Sequence, residues 1–167
     1  MKRTTAAILS LLLASACTGG SESGQDAPAA LETTGPYKTT LSMAELMAHV
    51  VDHQADGVWL NQGWRIDETG EHELFPTTDE GWLAAENSAA SLAETANILM
   101  TPGRAVDDGD WIRFSTQLHE ASITAMRAAE ARDKQAFFDA GGAMFVACRS
   151  CHQKYILGED PTGYPRP

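Results

Sequence analysis

Residues 82–99 read WLAAENSAASLAETANIL, and their spacing decides the fold. Trp82, Ala85, Ala89, Leu92, Ala96 and Leu99 recur alternately three and four residues apart, which puts all six on one narrow stripe of an α-helix. A stripe at this heptad-like spacing is covered by another helix lying nearly antiparallel to it. Alternation of bulky residues with alanine lets large side chains on one helix fill space beside small ones on the next. Thr77 and Glu80 have the spacing of a capping box in front of the stripe, and Pro102-Gly103 ends it.

Working outward, the same spacing returns twice. A third helix carries Trp111, Phe114, Leu118, Ala121, Ala125 and Ala128. A fourth, capped by Asp133, carries Phe137, Gly141, Met144, Cys148, Cys151 and Tyr155, and Gly158 and Pro161 close it. Upstream, a first helix begins at Ser42, where Ser42 and Glu45 form a capping box and Leu41 and Leu46 stand at staple positions. Its apolar face is Met43, Met47, Val50, Val51 and Val58, running to about Trp59, with Gly57 as its weak point. Residues 60–76 contain Gly63, Gly70 and Pro76 and read as a long loop; no strand is expected. The expectation is an all-α chain folded as an antiparallel four-helix bundle. Trp59, Trp82 and Trp111 would close the ends of its core. Gly141 and Gly142 each cost the fourth helix about 1 kcal/mol relative to alanine. They imply close approach there by a bound group or a neighbouring helix.

The start of the chain reads as export rather than fold. Lys2 and Arg3 precede a short apolar run, Ala6 to Ala14, that is too short to span a membrane. Leu13-Ala14-Ser15-Ala16-Cys17 resembles the lipobox of bacterial lipoproteins, which makes Cys17 the expected lipidation site. Residues 1–16 are then a signal peptide and 17–36 a lipidated cysteine with a flexible Gly/Ser/Ala/Thr tether. Residues 37–167 form the folded body. Losing Lys2 and Arg3 moves the net charge from −11 to −13, because no acidic residue leaves with them. So acidic a body argues against nucleic acid as a partner, which needs Lys/Arg patches. It suits a basic or neutral protein partner, and it also serves plain solubility.

Cys148-Arg149-Ser150-Cys151-His152 is a CxxCH motif, which reads as c-type haem attachment. Cysteines three apart share one helical face, so both sulfurs can add to the two vinyl groups on one edge of a macrocycle. The next residue then turns its imidazole toward the iron as proximal ligand. By average residue usage, a chance CxxCH occurs in roughly one chain of this length in a thousand. With one cysteine for lipid and two for haem, the 3 cysteines are all used. The competing readings are a redox dithiol, a zinc site and a small disulfide. A reactive dithiol normally lies at a helix N-terminus, whereas this pair falls late in its helix. Zinc would need a further ligand, and His119 is distant in sequence.

A CxxCH near the C-terminus, after three amphipathic helices, resembles the class II c-type cytochromes, the cytochrome c′ group. The likeness covers roughly residues 40–157, and only Cys148, Cys151, His152 and the helix order carry it. It implies a covalent haem c near the C-terminal end of the fourth helix (D), with His152 proximal. Tyr155 matches the aromatic residue usual three positions after the histidine. Ile156 departs from the basic residue usual next, and Lys154 is the candidate to replace it near a haem propionate.

In that group the first helix crosses the distal face of the haem. Low-spin members place a methionine there, and Glu45-Leu46-Met47-Ala48 resembles that stretch, which makes Met47 the candidate distal ligand. Ordinary core packing is the other reading of Met47, with Met43 one turn earlier as the reserve. His49 and His53 lie about 200° and 240° around the helix from Met47, so they are expected to face solvent. His72 and His119 are likewise expected at the surface. With the lipobox, the resemblance implies a periplasmic, membrane-tethered electron carrier with a redox partner protein, and it admits a homodimer; no paired carboxylate, nucleophile–base set or phosphate loop stands out in the sequence, so no enzyme activity of its own is expected. Two rival readings stand beside it. One is a five-coordinate, gas-binding haem protein. The other is a non-haem lipoprotein with a CxxC dithiol or metal site.

Overall fold

A computed structural model describes residues 36–157. Cys17, the leader and most of the tether lie outside the described residues, as do Gly158 and Pro161. The described part is mostly helical, with four helices and one small sheet.

Helix α1 covers residues 43–59, and it is α-helical at Met43–Leu46 and Asp52–Trp59 with a π-helical turn at Met47–Val51 between them. The capping box forms as expected: Glu45 N–H donates to Ser42 Oγ at 3.2 Å, and Ser42 N–H donates to Glu45 Oε2 at 2.8 Å. Leu46 is buried while Leu41 stays exposed at the surface. The Leu41 carbonyl accepts a hydrogen bond from the buried Arg104 guanidinium, at 3.1 Å.

Helices α2 (Asp79–Leu99), α3 (Asp110–Ala131) and α4 (Lys134–His152) follow, with a second π-helical turn, Gln153–Leu157, extending α4. Every seam residue expected on α2 and α3 is buried. Phe137, Gly141 and Met144 of α4 are buried too, while Cys148, Cys151 and Tyr155 are half-buried against the core. Phe137 and Leu92 are fully enclosed, each contributing about 1.5–3 kcal/mol by leaving water. Trp82 meets Phe137 edge-on at 5.7 Å, and the Trp111 indole N–H reaches the Leu99 carbonyl at 2.7 Å. These two tryptophans close the core as expected.

Each helix packs on the next in sequence, so α1 lies against α2, α2 against α3 and α3 against α4. Gly57 permits the first of these contacts, since a Cβ there would sit 2.1 Å from Ser88 Oγ. Arg132, in the left-handed region at φ 54°, ends α3, and Asp133 caps α4 by accepting from Ala136 N–H at 3.0 Å. Only those two residues separate the helices, so the chain turns back on itself and α4 runs antiparallel to α3.

Two expectations need correction. The chain is not all-α: residues expected as loop contain a hairpin, β1 (Trp64–Asp67) paired antiparallel with β2 (Gly70–Glu73). Its turn is held by Asp67, which accepts from Thr69 N–H at 2.9 Å and from the Thr69 hydroxyl at 2.6 Å. Those bonds hold the Asp67 carboxyl below the usual carboxylate range. Almost all hairpin residues are exposed, and the apolar/polar alternation is confined to the four residues of β1 while β2, Gly-Glu-His-Glu, has none. Second, the cap of α2 is Thr78, which accepts from Gly81 N–H at 3.1 Å, and not Thr77 paired with Glu80. Two adjacent threonines made both registers possible, and the extended backbone at Thr78 selects one.

Candidate functional site

A cleft of about 860 Å³ opens between α1 on one side and α3 and α4 on the other. Met43, Met47, Val51 and Ala55 line it from α1, and Cys148, Cys151 and His152 line it from α4. Phe114 and Leu118 of α3, with Leu99 of α2, add apolar surface between these walls. The volume falls within the roughly 300–1,000 Å³ usual for cofactor and ligand sites. It is enclosed mainly by apolar and aromatic side chains.

The cleft brings together four of the five residues expected to carry the site, Met47, Cys148, Cys151 and His152; the fifth, Cys17, lies outside the described residues. The local sequence explains each position. On α1, Leu46, Val51, Ala55 and Val58 are buried, whereas Met43 and Met47 are only half-buried. The apolar surface of α1 is therefore broader than its contact with α2 requires, and the surplus faces the cleft. On α4, the three-residue spacing puts both sulfurs on one side, and His152 follows at the last α-helical position. Both cleft walls contain a π-helical turn, at Met47–Val51 and at Gln153–Leu157. Such turns are rare and frequent at functional sites.

Burial pushes the Cys148 and Cys151 thiols up to about 11 from an ordinary 9.0. They are thus protonated near neutrality and sit near the negative end of the α4 dipole. A reactive dithiol needs the opposite. Among the described residues, no three His, Cys, Asp or Glu side chains gather as a metal site. A haem fits this donor set better: two sulfurs on one face, an imidazole beside them and a thioether on the opposite wall.

The turn after His152 is anchored from outside the cleft. The Tyr155 hydroxyl donates to Asp107, and the Tyr155 ring meets Trp111 edge-on at 5.2 Å. Asp107 also accepts from the backbone N–H groups of Gly109 at 2.9 Å and Trp111 at 3.0 Å. Lys154 donates to Asp110, which also holds Arg113. Lys154 is therefore engaged with Asp110 at the start of α3. The basic residue lining the cleft is Arg149, inside the CxxCH motif itself.

His49 and His53 are exposed, as expected. His72 sits on β2 with its Nε2 at 2.8 Å from Thr69 Oγ1 and 3.2 Å from Asp67 Oδ1. His119 is half-buried. Trp59 is half-buried and packed against the core, as expected, and has a second role. It lines the cleft, donates its indole N–H to the Gly141 carbonyl at 3.0 Å and meets Phe145 edge-on at 6.4 Å. Gly141 is explained by Gln62, whose amide lies 2.2–2.6 Å from where a Cβ would stand. Gly142 has nothing within 4 Å of that position. Phe114 and Leu118 looked like plain core in the sequence, because a seam residue beside a cleft has the same spacing as one beside a helix.

No helix among the described residues is long and apolar enough to cross a membrane. Searches against family models, curated proteins and solved structures return no match to this chain.

Proposed function

We propose that this chain is a monohaem c-type cytochrome of class II type, tethered by lipid at Cys17 in the periplasm, that carries electrons to or from a protein partner. The observation that carries the reading is the cleft lined at once by Met47 and by Cys148, Cys151 and His152. When bound, the haem supplies a one-electron couple whose potential thioether ligation raises.

The chain's own residues supply the rest. Cys148 and Cys151 provide two sulfurs, three residues apart, for covalent attachment to one edge of the macrocycle. His152 provides the proximal nitrogen and Met47 the thioether on the opposite wall. Phe114, Leu118, Val51 and Leu99 exclude water, which lowers the local dielectric around the couple. The acidic body favours approach of a basic or neutral partner.

The test is to express the full chain with haem-maturation machinery and record ferric and reduced spectra, with and without carbon monoxide. A low-spin spectrum with a weak far-red ferric band, lost in Met47→Ala, supports methionine ligation and electron transfer. A high-spin spectrum that shifts with carbon monoxide makes the protein a gas binder with Met47 as packing. A colourless product sinks the haem reading.

A further inference from the structure

Arg104 is a buried cation, 8% exposed, in the loop between α2 and α3. Among the described residues no carboxylate pairs with it, and its guanidinium donates instead to the main-chain carbonyl of Leu41 at 3.1 Å. An ion is costly to bury, and a hydrogen bond from a charged donor is stronger than one from a neutral group. The loop is built to place this side chain. Pro102 and Gly103, the latter at φ 85°, are the residues that a type II turn takes at its two central positions, and the Arg104 N–H closes that turn on the Thr101 carbonyl at 3.0 Å. Ala105, which is buried, donates to the same carbonyl at 3.2 Å.

Arg104 takes hold at the weaker end of α1. The second half of that helix, Asp52–Trp59, packs on α2, and its end is tied to α4 by the Trp59 indole N–H on the Gly141 carbonyl. The first half, through the π-helical turn Met47–Val51, leans on α2 far less, yet it brings Met43, Met47 and Val51 to the cleft. Leu46 and Val51 are its buried side chains, and residues 36–42 ahead of it are exposed. We propose that Arg104 is a positioning residue for the cleft: by holding the Leu41 carbonyl it fixes the first half of α1, and with it Met47, opposite the wall that carries His152. What Met47 does there rests on the haem reading. Without the bond the half-helix can swing on the π-helical turn, which moves Met47 and opens the cleft to small exogenous ligands.

The experiment compares the full chain, expressed with haem-maturation machinery, with Arg104→Met and Arg104→Lys. Methionine keeps an apolar stem and removes the charge, a replacement that often leaves global stability level or higher. Lysine keeps a cation that can reach a carbonyl. Hydrogen exchange in residues 43–51 is expected to quicken at least tenfold in Arg104→Met, with residues 82–99 and 111–131 at the parent rate, and to return toward the parent in Arg104→Lys. Carbon monoxide should bind the reduced Arg104→Met protein at least tenfold faster than the parent. Unchanged exchange in residues 43–51 overturns the proposal. So does exchange quickened evenly over all four helices, or collapse of the fold, since Arg104 is then a general stabiliser. Carbon monoxide binding at the parent rate, despite quickened local exchange, overturns the link to Met47. The parent's own spectrum, taken first, reports the haem reading separately, and in a colourless chain the exchange arm still decides whether Arg104 holds α1.

Discussion

The Tyr155 hydroxyl donates to the Asp107 carboxylate, 48 residues away in sequence, and so ties the last turn of α4 to the loop in front of α3. With Lys154 on Asp110, this gives the segment carrying His152 two fastenings that lie outside the cleft.

Removing the first fastening should loosen that turn without emptying the cleft. Tyr155→Phe keeps the ring on Trp111 and deletes one hydrogen bond to a carboxylate, so a loss of about 1 kcal/mol is expected. Chemical denaturation of the unmatured chain measures it. In a matured haem protein, a change in reduction potential would show that the turn also sets the presentation of His152.

Acid should act through the same contact. The Tyr155 hydroxyl, followed by the Trp111 backbone N–H, holds the Asp107 carboxyl below its ordinary 3.8. A lowered carboxyl pKa contributes stability that is present above the unfolded value and lost as pH falls through the folded one. Stability should therefore decline below about pH 4 in the parent, and less steeply in Asp107→Asn. Melting curves between pH 2 and pH 6 compare the two.

The unmatured thiols should be sluggish. With Cys148 and Cys151 pushed up to about 11, alkylation by iodoacetamide at neutral pH should run well below the rate of an exposed cysteine. Acceleration should continue to about pH 11 instead of levelling near 9. Rapid alkylation at pH 7 would favour the dithiol reading.

Helix packing predicts an asymmetry between two glycines. Gly57→Ala gains helix propensity but drives a methyl into Ser88, whose Oγ and Cβ lie 2.1 and 2.5 Å from it. The helices must separate, with a net loss of about 1–3 kcal/mol. Gly141→Ala meets only the end of the Gln62 side chain, which can swing aside, so its cost should be smaller. Thermal melts of both variants decide the order.

Met47 and Met43 both line the cleft, one turn apart. In matured protein, Met47→Ala should remove the low-spin signature and lower the reduction potential, while Met43→Ala should leave the coordination unchanged. Reversal of that pattern would make Met43 the ligand.

Much of this was legible in the sequence because buried seams leave a periodic trace. Trp82 to Leu99 and Trp111 to Ala128 mark their helices by spacing alone, and the three-residue spacing of Cys148 and Cys151 places both on the cleft side of α4. The hairpin left only a short trace, since Trp64, Arg65, Ile66 and Asp67 alternate apolar and polar over just four residues and none of them is buried. The cleft itself was equally silent. Met43 and Met47 on α1 and Phe114 and Leu118 on α3 have the periodicity of core, and only the space between the helices separates lining from packing. Gln62 and Trp59 owe their positions to the fold around Gly141, which local pattern does not encode.

The two-residue link between α3 and α4 has a kinetic meaning as well. Helices joined at Arg132-Asp133 meet through contacts close in sequence, and such contacts form early because little loop entropy opposes them. The helix bearing the two thiols should therefore be docked on α3 before α1, the remotest segment of the bundle from it in sequence, has settled on α2. At that stage the thiols would face an unfinished, accessible side, the state in which an external enzyme could reach them.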